Sequence, residues 1–115
     1  MTNMAGLRID GPVSEILLND PDRRNALSAP VFDDLERCLD DVEASVASGR
    51  SHVLRLRGAG TAFCAGFDLD AMANDGALPS FLDRLGSCCL RLRRLDAVVV
   101  AEVHGPAVAG GCAIV

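Results

Sequence analysis

The sequence has 115 residues, a formal net charge of −5 and a hydrophobic fraction of 50%. This length allows one small domain with a modest core, and the apolar fraction is too high for a disordered chain. With four Phe and no Tyr or Trp, the chain lacks the aromatic platforms on which nucleic-acid bases stack, and its acidity disfavours phosphate backbones. We therefore expect no nucleic-acid partner.

The number and spacing of the cysteines and the composition of the amino-terminal segment indicate in which cellular compartment we expect the protein. The five cysteines are odd in number and form no CxxC pair, which argues against a zinc site or a disulfide framework. The start of the chain has no charged region followed by an apolar run, as a signal peptide would, and no stretch reaches the ~18 apolar residues of a membrane span. We expect a cytoplasmic protein with no metal and no membrane partner.

The first half of the chain predicts a hairpin followed by a long helix. Residues 7–10 and 14–18 flank the turn signal Gly11-Pro12 and form the predicted hairpin. Ser28 is a candidate N-cap for a helix over residues 29–47. One apolar stripe at helical spacing supports that helix: Val31, Leu35, Leu39, Val42 and Val46.

The second half alternates strands and helices. A strand is predicted over 52–57, a short helix over 68–73 and a second long helix capped by Ser80. Residues 97–103 form a mostly apolar run that is typical of a strand buried on both faces, and the chain ends in the start of a helix. Strands that alternate with long helices predict an α/β fold with parallel pairing.

Two glycine patterns imitate phosphate-binding motifs. Residues 58–63 begin like a dinucleotide fingerprint, but Phe63 occupies the position of the third Gly. Residues 105–112 have the glycine spacing of a P-loop but lack its Lys and Ser/Thr. Neither segment is predicted to bind a nucleotide in those ways.

Two other turns allow a chemical interpretation as well as a structural one. Residues 65–68 and 108–111 combine small residues with an expected helix start, so that backbone N–H groups can approach a ligand closely. Two such groups aimed at one point form an oxyanion hole. Turns of this kind also serve as plain connections, and the residues alone leave both interpretations open. We interpret His52, His104 and Cys64 as structural, because no partner that would activate them is evident.

Three segments together resemble the crotonase superfamily, the enoyl-CoA hydratase/isomerase family. Residues 18–28 resemble its loop that contacts coenzyme A, residues 58–69 its first oxyanion-hole segment and residues 100–112 its second. They occur in the order and at about the spacing of the family. The resemblance implies an α/β spiral of ββα units, of which residues 1–115 would be the N-terminal part of one domain without its C-terminal half.

The resemblance also implies a site and partners. The N–H groups of Phe67 and Gly110 would bind the thioester oxygen of an acyl-CoA and stabilise its enolate. Coenzyme A would enter as part of the substrate, with no further cofactor, and the protein would be a homo-oligomer, a trimer or hexamer. The residues implied to contact coenzyme A are Arg24, Ala26, Leu27, Ala65, Gly66, Asp68 and Leu69, with Arg23 as an alternative to Arg24 at the phosphates.

The sequence departs from the family at the acid/base position. Ala113 occupies the place of a Glu that hydratases use, and it has no proton to give. One hypothesis is a lyase or isomerase of fatty acid metabolism whose acid/base lies outside these residues. The alternative is a truncated or degenerate homologue that binds acyl-CoA, or serves as an interaction subunit, without catalysis. A generic α/β domain unrelated to coenzyme A is the third reading.

Overall fold

The structure is a computed structural model that describes residues 3–115, apart from the side chains of Asn74 and Asp75. Met1 and Thr2 are the first residues of the segment in which no signal peptide is predicted, and they lie outside the described residues. The elements in chain order are β1 (Ala5–Asp10), β2 (Val13–Leu18), α1 (Ala29–Ala47), β3 (Val53–Gly58), α2 (Leu69–Asp75), α3 (Leu78–Arg94), β4 (Val98–Ala101) and α4 (Gly110–Ile114).

The strands form one mixed sheet in the order β1-β2-β3-β4. β1 and β2 are an antiparallel hairpin, whereas β2 pairs with β3 and β3 with β4 in parallel. Parallel neighbours require a crossover, which α1 supplies between β2 and β3, and α2 and α3 supply between β3 and β4. The predicted hairpin and the predicted parallel pairing are both confirmed.

The first long helix has the bounds that the sequence predicts. Ser28 is extended, at φ −103° and ψ 170°, and its hydroxyl accepts a hydrogen bond from the N–H of Val31 at 3.4 Å. The apolar stripe of α1 packs on one face of the sheet to form the core. Central members of the core are Ile16, Leu18, Phe32, Leu39, Val42, Leu54, Leu56 and Phe63.

Within the described residues, no helix is long and apolar enough to cross a membrane.

Ion pairs join α1 to α3 along their exposed edge. The Arg84 guanidinium lies 2.6 Å from carboxylate oxygens of both Asp33 and Glu36. The same arrangement recurs further along both helices, in Arg91 with Asp40 and Glu43. Because successive pairs advance in the same direction on both helices, α1 and α3 run parallel. Arg91, from the basic cluster near the end of α3, thus has a structural role.

The predicted cap of the second long helix is wrong. α3 begins at Leu78, its N-cap is Ala77 without a side-chain hydrogen bond, and Ser80 lies inside the first turn. Pro79 explains the earlier start, since proline is favoured in the first turn, where its missing N–H is not needed.

Within residues 3–115 the strand predicted over 97–103 is covered on one face only. β4 is shorter than the predicted 97–103, and Val98 and Val100 are 63% and 45% exposed. In the described part of the chain β4 is the edge of the sheet and pairs with β3 alone, and α1 and α3 cover only one face. An apolar run reports that a strand forms, but it does not report what covers the strand.

Candidate functional site

Three loops follow the parallel strands at one edge of the sheet. Loop 1 (residues 19–28) connects β2 to α1, loop 2 (59–68) connects β3 to α2, and loop 3 (102–109) connects β4 to α4. Because the carboxyl ends of parallel strands meet at the same edge, the topology brings the three loops together. These loops contain the segments that carry the family resemblance.

Backbone bridges join loop 2 to both of its neighbours. Leu27 of loop 1 forms a parallel bridge with Phe67, and Cys64 forms one with Ala107 of loop 3. The Leu27 N–H donates to the Gly66 carbonyl at 2.6 Å. The main chains of the three loops therefore contact one another directly.

Glycines permit this close approach. Gly66 has φ 91°, and a Cβ there would lie 2.9 Å from the Val108 oxygen and 3.4 Å from the Gly110 nitrogen. A Cβ on Gly111 would overlap the Cys64 carbonyl oxygen. Loop 2 and the start of α4 thus touch main chain to main chain, at the two segments predicted to supply oxyanion donors.

The two predicted donors have no acceptor of their own. The N–H of Ala65 donates to the Arg24 carbonyl at 3.0 Å, and the N–H of Gly111 donates to Val108. Within residues 3–115, neither the N–H of Phe67 nor that of Gly110 has a hydrogen-bond acceptor. The N–H of Gly110 belongs to the first turn of α4, where helical N–H groups have no intrahelical acceptor, and the N–H of Phe67 lies on the adjoining segment, so both are free to meet a ligand oxygen.

A cavity of about 650 Å³ opens beside these loops. Of the residues predicted to contact coenzyme A or its thioester, Ala26, Ala65, Phe67, Asp68 and Leu69 line it. The other four lie outside the lining. Leu27 is fully buried and contacts the Gly110 position, and Arg24 contributes its carbonyl to Ala65. Gly66 and Gly110 are buried, and each is next in the chain to a lining residue. The lining residues that the site prediction missed are Asp70, Met72, Val108 and Ala109, and of the two alternative arginines it is Arg23 that lines the cavity.

The missed residues differ in how far the sequence signals them. Met72 lies one turn after Asp68 on the predicted short helix, so helical spacing was a usable signal. The sequence does not indicate which of Arg23 and Arg24 faces the cavity, because the answer depends on the left-handed backbone conformation of Arg24, at φ 53°. That turn directs Arg23 toward the cavity.

Arg23 and Asp68 form an ion pair at the cavity wall. Arg23 Nη1 lies 3.1 Å from Asp68 Oδ2, and Asp68 Oδ1 accepts from the N–H groups of Asp70 and Ala71 at the start of α2. The carboxylate therefore fixes the helix start and the guanidinium together. The Arg23 side chain is 61% exposed, which leaves its remaining donors accessible from the cavity.

The side chain of Phe67 packs against two other aromatic rings and so helps to fix its own backbone N–H, which is a proposed donor. Its ring lies 5.7 Å from the Phe81 ring and 6.5 Å from the Phe32 ring, measured between centroids. Aromatic rings at such separations attract one another in addition to burying apolar area. The aromatic trio thus connects the main chain of loop 2 to α1 and α3.

Neither Cys64 nor His104 is placed to act as a nucleophile or base. Burial raises the pKa of the Cys64 thiol, and its Sγ donates to the Asn25 carbonyl at 3.2 Å. A thiol held neutral in this way is inert. The ring of His104 contacts the Gly60 carbonyl at 2.8 Å and lies outside the lining of the cavity.

Ala109 has a conformation that L-residues rarely adopt, at φ 50° and ψ −113°. We expect Ala109→Gly to raise the free energy of unfolding by about 1 kcal/mol, because glycine relieves the strain of a positive φ. Ala44→Gly, at an exposed position inside α1, is the matched control and should lower the free energy of unfolding by about 1 kcal/mol. Urea denaturation followed by circular dichroism measures both, and a decrease for Ala109→Gly would contradict the expectation.

Comparison with known proteins decides the family. The family model described as enoyl-CoA hydratase/isomerase matches residues 8–115. The chain belongs to the enoyl-CoA hydratase/isomerase family. The resemblance drawn from the three sequence segments is thereby confirmed.

Relatives and solved structures of the family agree. The probable enoyl-CoA hydratase echA6 of Mycobacterium leprae is 35% identical over 114 residues, which cover 94% of this chain and 42% of the relative. The crystal structure of enoyl-CoA hydratase from Bacillus anthracis superposes with a TM-score of 0.87 at 26% identity, over 96% of this chain and 43% of that one. Enoyl-CoA hydratase from Mycobacterium smegmatis gives a TM-score of 0.86 at 30% identity, over 96% of this chain and 44% of that one.

The family fold and its coverage follow from these matches. The crotonase-like α/β fold is confirmed, and this chain forms a part of it, since it spans less than half the length of these relatives. The activity, substrates and partners of a complete family member are therefore matters for proposal.

Proposed function

We propose that this chain binds an acyl-CoA thioester, with the carbonyl oxygen held between the N–H groups of Phe67 and Gly110. The observation that carries the proposal is a pair of backbone donors that have no acceptor in the described part of the chain, on two segments that touch each other beside a cavity. Membership of a family named for enoyl-CoA supports the choice of thioester as the ligand.

Two such donors would stabilise negative charge on the thioester oxygen. When a proton leaves or joins the carbon next to the carbonyl, the electrons move onto that oxygen as an enolate. A preorganised backbone donor in a site that excludes water is worth about 3–4 kcal/mol toward such a state. The bridges from Leu27 to Phe67 and from Cys64 to Ala107 supply this preorganisation, because both donors are in place before a ligand arrives.

The remainder of coenzyme A would lie along the cavity. Ala26, Ala65 and Leu69 offer apolar contact to the pantetheine chain, and Leu69 is 73% exposed. Arg23, at the cavity wall, is better placed than Arg24 to meet a phosphate. Coenzyme A then serves as part of the substrate, and the proposal requires no further cofactor.

A complete protein of this kind would catalyse hydration, isomerisation or related enolate chemistry, with a carboxylate from outside these residues. The family resemblance also leads us to propose a homo-oligomer, a trimer or hexamer. The five free thiols of the chain are consistent with the cytoplasmic location that we propose.

One observation favours a second candidate function, an acyl-CoA binder without catalysis. Ala113 lies in α4 just beyond the proposed donor Gly110, and its methyl group transfers no proton. The two functions differ in one measurable respect. A catalytic protein exchanges the α-proton of a bound acyl-CoA with solvent at a rate that depends on a titrating group, whereas a binder leaves that proton in place.

We expect Gly110→Pro to weaken the binding of crotonyl-CoA by about tenfold, the ground-state worth of one hydrogen bond. The substitution removes the N–H and adds carbon atoms. Gly110→Ala is the matched control, because it keeps the N–H. The three atoms nearest to its Cβ belong to side chains, those of Leu27 and Leu85 at 3.3 and 3.4 Å and of Phe67 at 3.7 Å.

Isothermal titration calorimetry with crotonyl-CoA and with free coenzyme A measures this effect. The proposal expects a loss in Gly110→Pro for the thioester alone, with near wild-type affinity in Gly110→Ala. Equal affinities of the two variants for crotonyl-CoA would contradict it.

A further inference from the structure

The side chain of Asn25 in loop 1 has all of its polar atoms in hydrogen bonds, and the proposed function gives it no role. Its side chain is fully buried. Its Nδ2 donates to three carbonyl oxygens of loop 2, those of Ala59 and Ala62 at 3.0 Å and of Phe63 at 3.1 Å. Its Oδ1 accepts from the N–H of Asp20 at 2.8 Å. An amide has two N–H donors, so one of them is shared between two of these three carbonyls; with Oδ1 also occupied, every polar atom of the side chain is engaged.

The main chain around Asn25 extends the same attachment further along loop 2. The Asn25 carbonyl accepts from Cys64 Sγ at 3.2 Å, and the preceding Arg24 carbonyl accepts from the Ala65 N–H at 3.0 Å. The Asp68 N–H then donates to the Leu27 carbonyl at 3.0 Å. Loop 2 is thus fixed to loop 1 on both sides of Phe67, while the Phe67 N–H donates to nothing in the described residues.

The position also selects for asparagine. Asn25 has φ 57°, in the left-handed region, which asparagine tolerates better than most residues with a side chain. A Cβ on Gly58 would lie 3.0 Å from Asn25 Nδ2 and 2.6 Å from the Phe63 carbonyl oxygen. The amide therefore occupies a close-fitting space and cannot turn away from its acceptors.

We propose that Asn25 is a positioning residue for the oxyanion site: by holding the carbonyls of loop 2, it fixes the direction of the Phe67 N–H toward the thioester oxygen. This inference rests on the proposed function, because it assigns the reason why one of the two donors points correctly. Asn25 itself does not touch the ligand, because its side chain is fully buried and its polar atoms are engaged by Asp20 and loop 2.

The test uses the infrared carbonyl band of crotonyl-CoA labelled with ¹³C at the thioester carbon. Hydrogen bonds to a carbonyl lower its stretching frequency, so the band reports how well the donors are aimed. Wild-type protein should lower the frequency relative to the ligand in solution. Asn25→Gly keeps the left-handed backbone but removes the hydrogen bonds from the side chain to the loop 2 carbonyls. We expect this variant to lose about half of the frequency shift, because one of the two donors is misdirected.

Asn19→Ala is the matched control on the same loop. Among residues 3–115, Asn19 Nδ2 makes one long contact, at 3.4 Å, to the Asn3 carbonyl, and its removal should leave the band where wild-type places it. Asn25→Asp is a second variant for the case in which Asn25→Gly fails to fold. A protonated carboxyl retains one donor toward the loop 2 carbonyls and an ionised one retains none, so the shift should recover as the pH is lowered.

The outcomes separate the inference from the proposed function. A wild-type band at its solution frequency would overturn the proposed function and this inference with it. A wild-type shift that persists undiminished in folded Asn25→Gly, with only a lower unfolding midpoint, would overturn the inference alone. Loss of the fold in both Asn25 variants at every pH would also overturn it, because Asn25 would then act on folding and not on donor direction.

Discussion

Gly111→Ala is expected to lower the free energy of unfolding by about 3 kcal/mol or more, at the upper end of the cost of overpacking. The added Cβ would overlap the Cys64 carbonyl oxygen and lie 2.8 Å from the Cys64 Cβ. Neither atom belongs to a flexible side-chain end, and Cys64 is itself fully buried. The start of α4 must therefore move away from loop 2.

Gly86→Ala is the control for this substitution. Gly86 lies inside α3, where an added Cβ meets nothing within 4 Å, and alanine is the better helix former. We expect it to raise the free energy of unfolding by about 0.5–1 kcal/mol. Urea denaturation of both variants measures the contrast, and similar small effects would mean that the contact of α4 with loop 2 is not as close as described.

The second large effect is expected from Phe32→Ala. Phe32 is fully buried on α1, its ring lies 5.3 Å from that of Phe81, and the Arg84 guanidinium lies 5.2 Å above it. Truncation of a buried Phe costs about 3–5 kcal/mol, because apolar contact is lost and a cavity remains. That cost is a large share of the ~5–15 kcal/mol by which domains are stable, so the variant should unfold at a much lower denaturant concentration than the wild type.

Leu82→Ala provides the comparison for Phe32→Ala. Leu82 lies on α3 and is 54% exposed, so its truncation should change the free energy of unfolding by no more than about 0.5 kcal/mol. Guanidinium denaturation followed by circular dichroism compares the two. If Phe32→Ala were as mild as Leu82→Ala, the aromatic trio would not anchor loop 2 as the structure indicates.

Local chemistry made the first long helix predictable. The Ser28 cap, a proline in the first turn and an apolar stripe at regular spacing all act within a few residues, and α1 has the predicted bounds of residues 29–47. The exposed face of β4 was not predictable in the same way. Val98 and Val100 have the composition of an interior strand, but exposure depends on elements distant in sequence.

The candidate site shows the same division. The turns that contain Phe67 and Gly110 were visible as short segments rich in small residues, and their roles came from the family resemblance. The hydrogen bonds from Asn25 to loop 2 could not be predicted from the sequence, because their acceptors lie 34 to 38 residues further along the chain. The assignment of Arg23 rather than Arg24 to the cavity likewise required the backbone conformation of loop 1.

The most direct test of the account compares butyryl-CoA with S-butyl-CoA, a thioether of similar shape that lacks the carbonyl oxygen. Calorimetric titration of the wild-type chain should show tighter binding of the thioester, because two backbone N–H groups have no acceptor when the oxygen is missing. The advantage of the thioester should shrink in Gly110→Pro and persist in Gly110→Ala. Equal affinities of the wild-type chain for the two ligands would contradict the assignment of Phe67 and Gly110 as an oxyanion site.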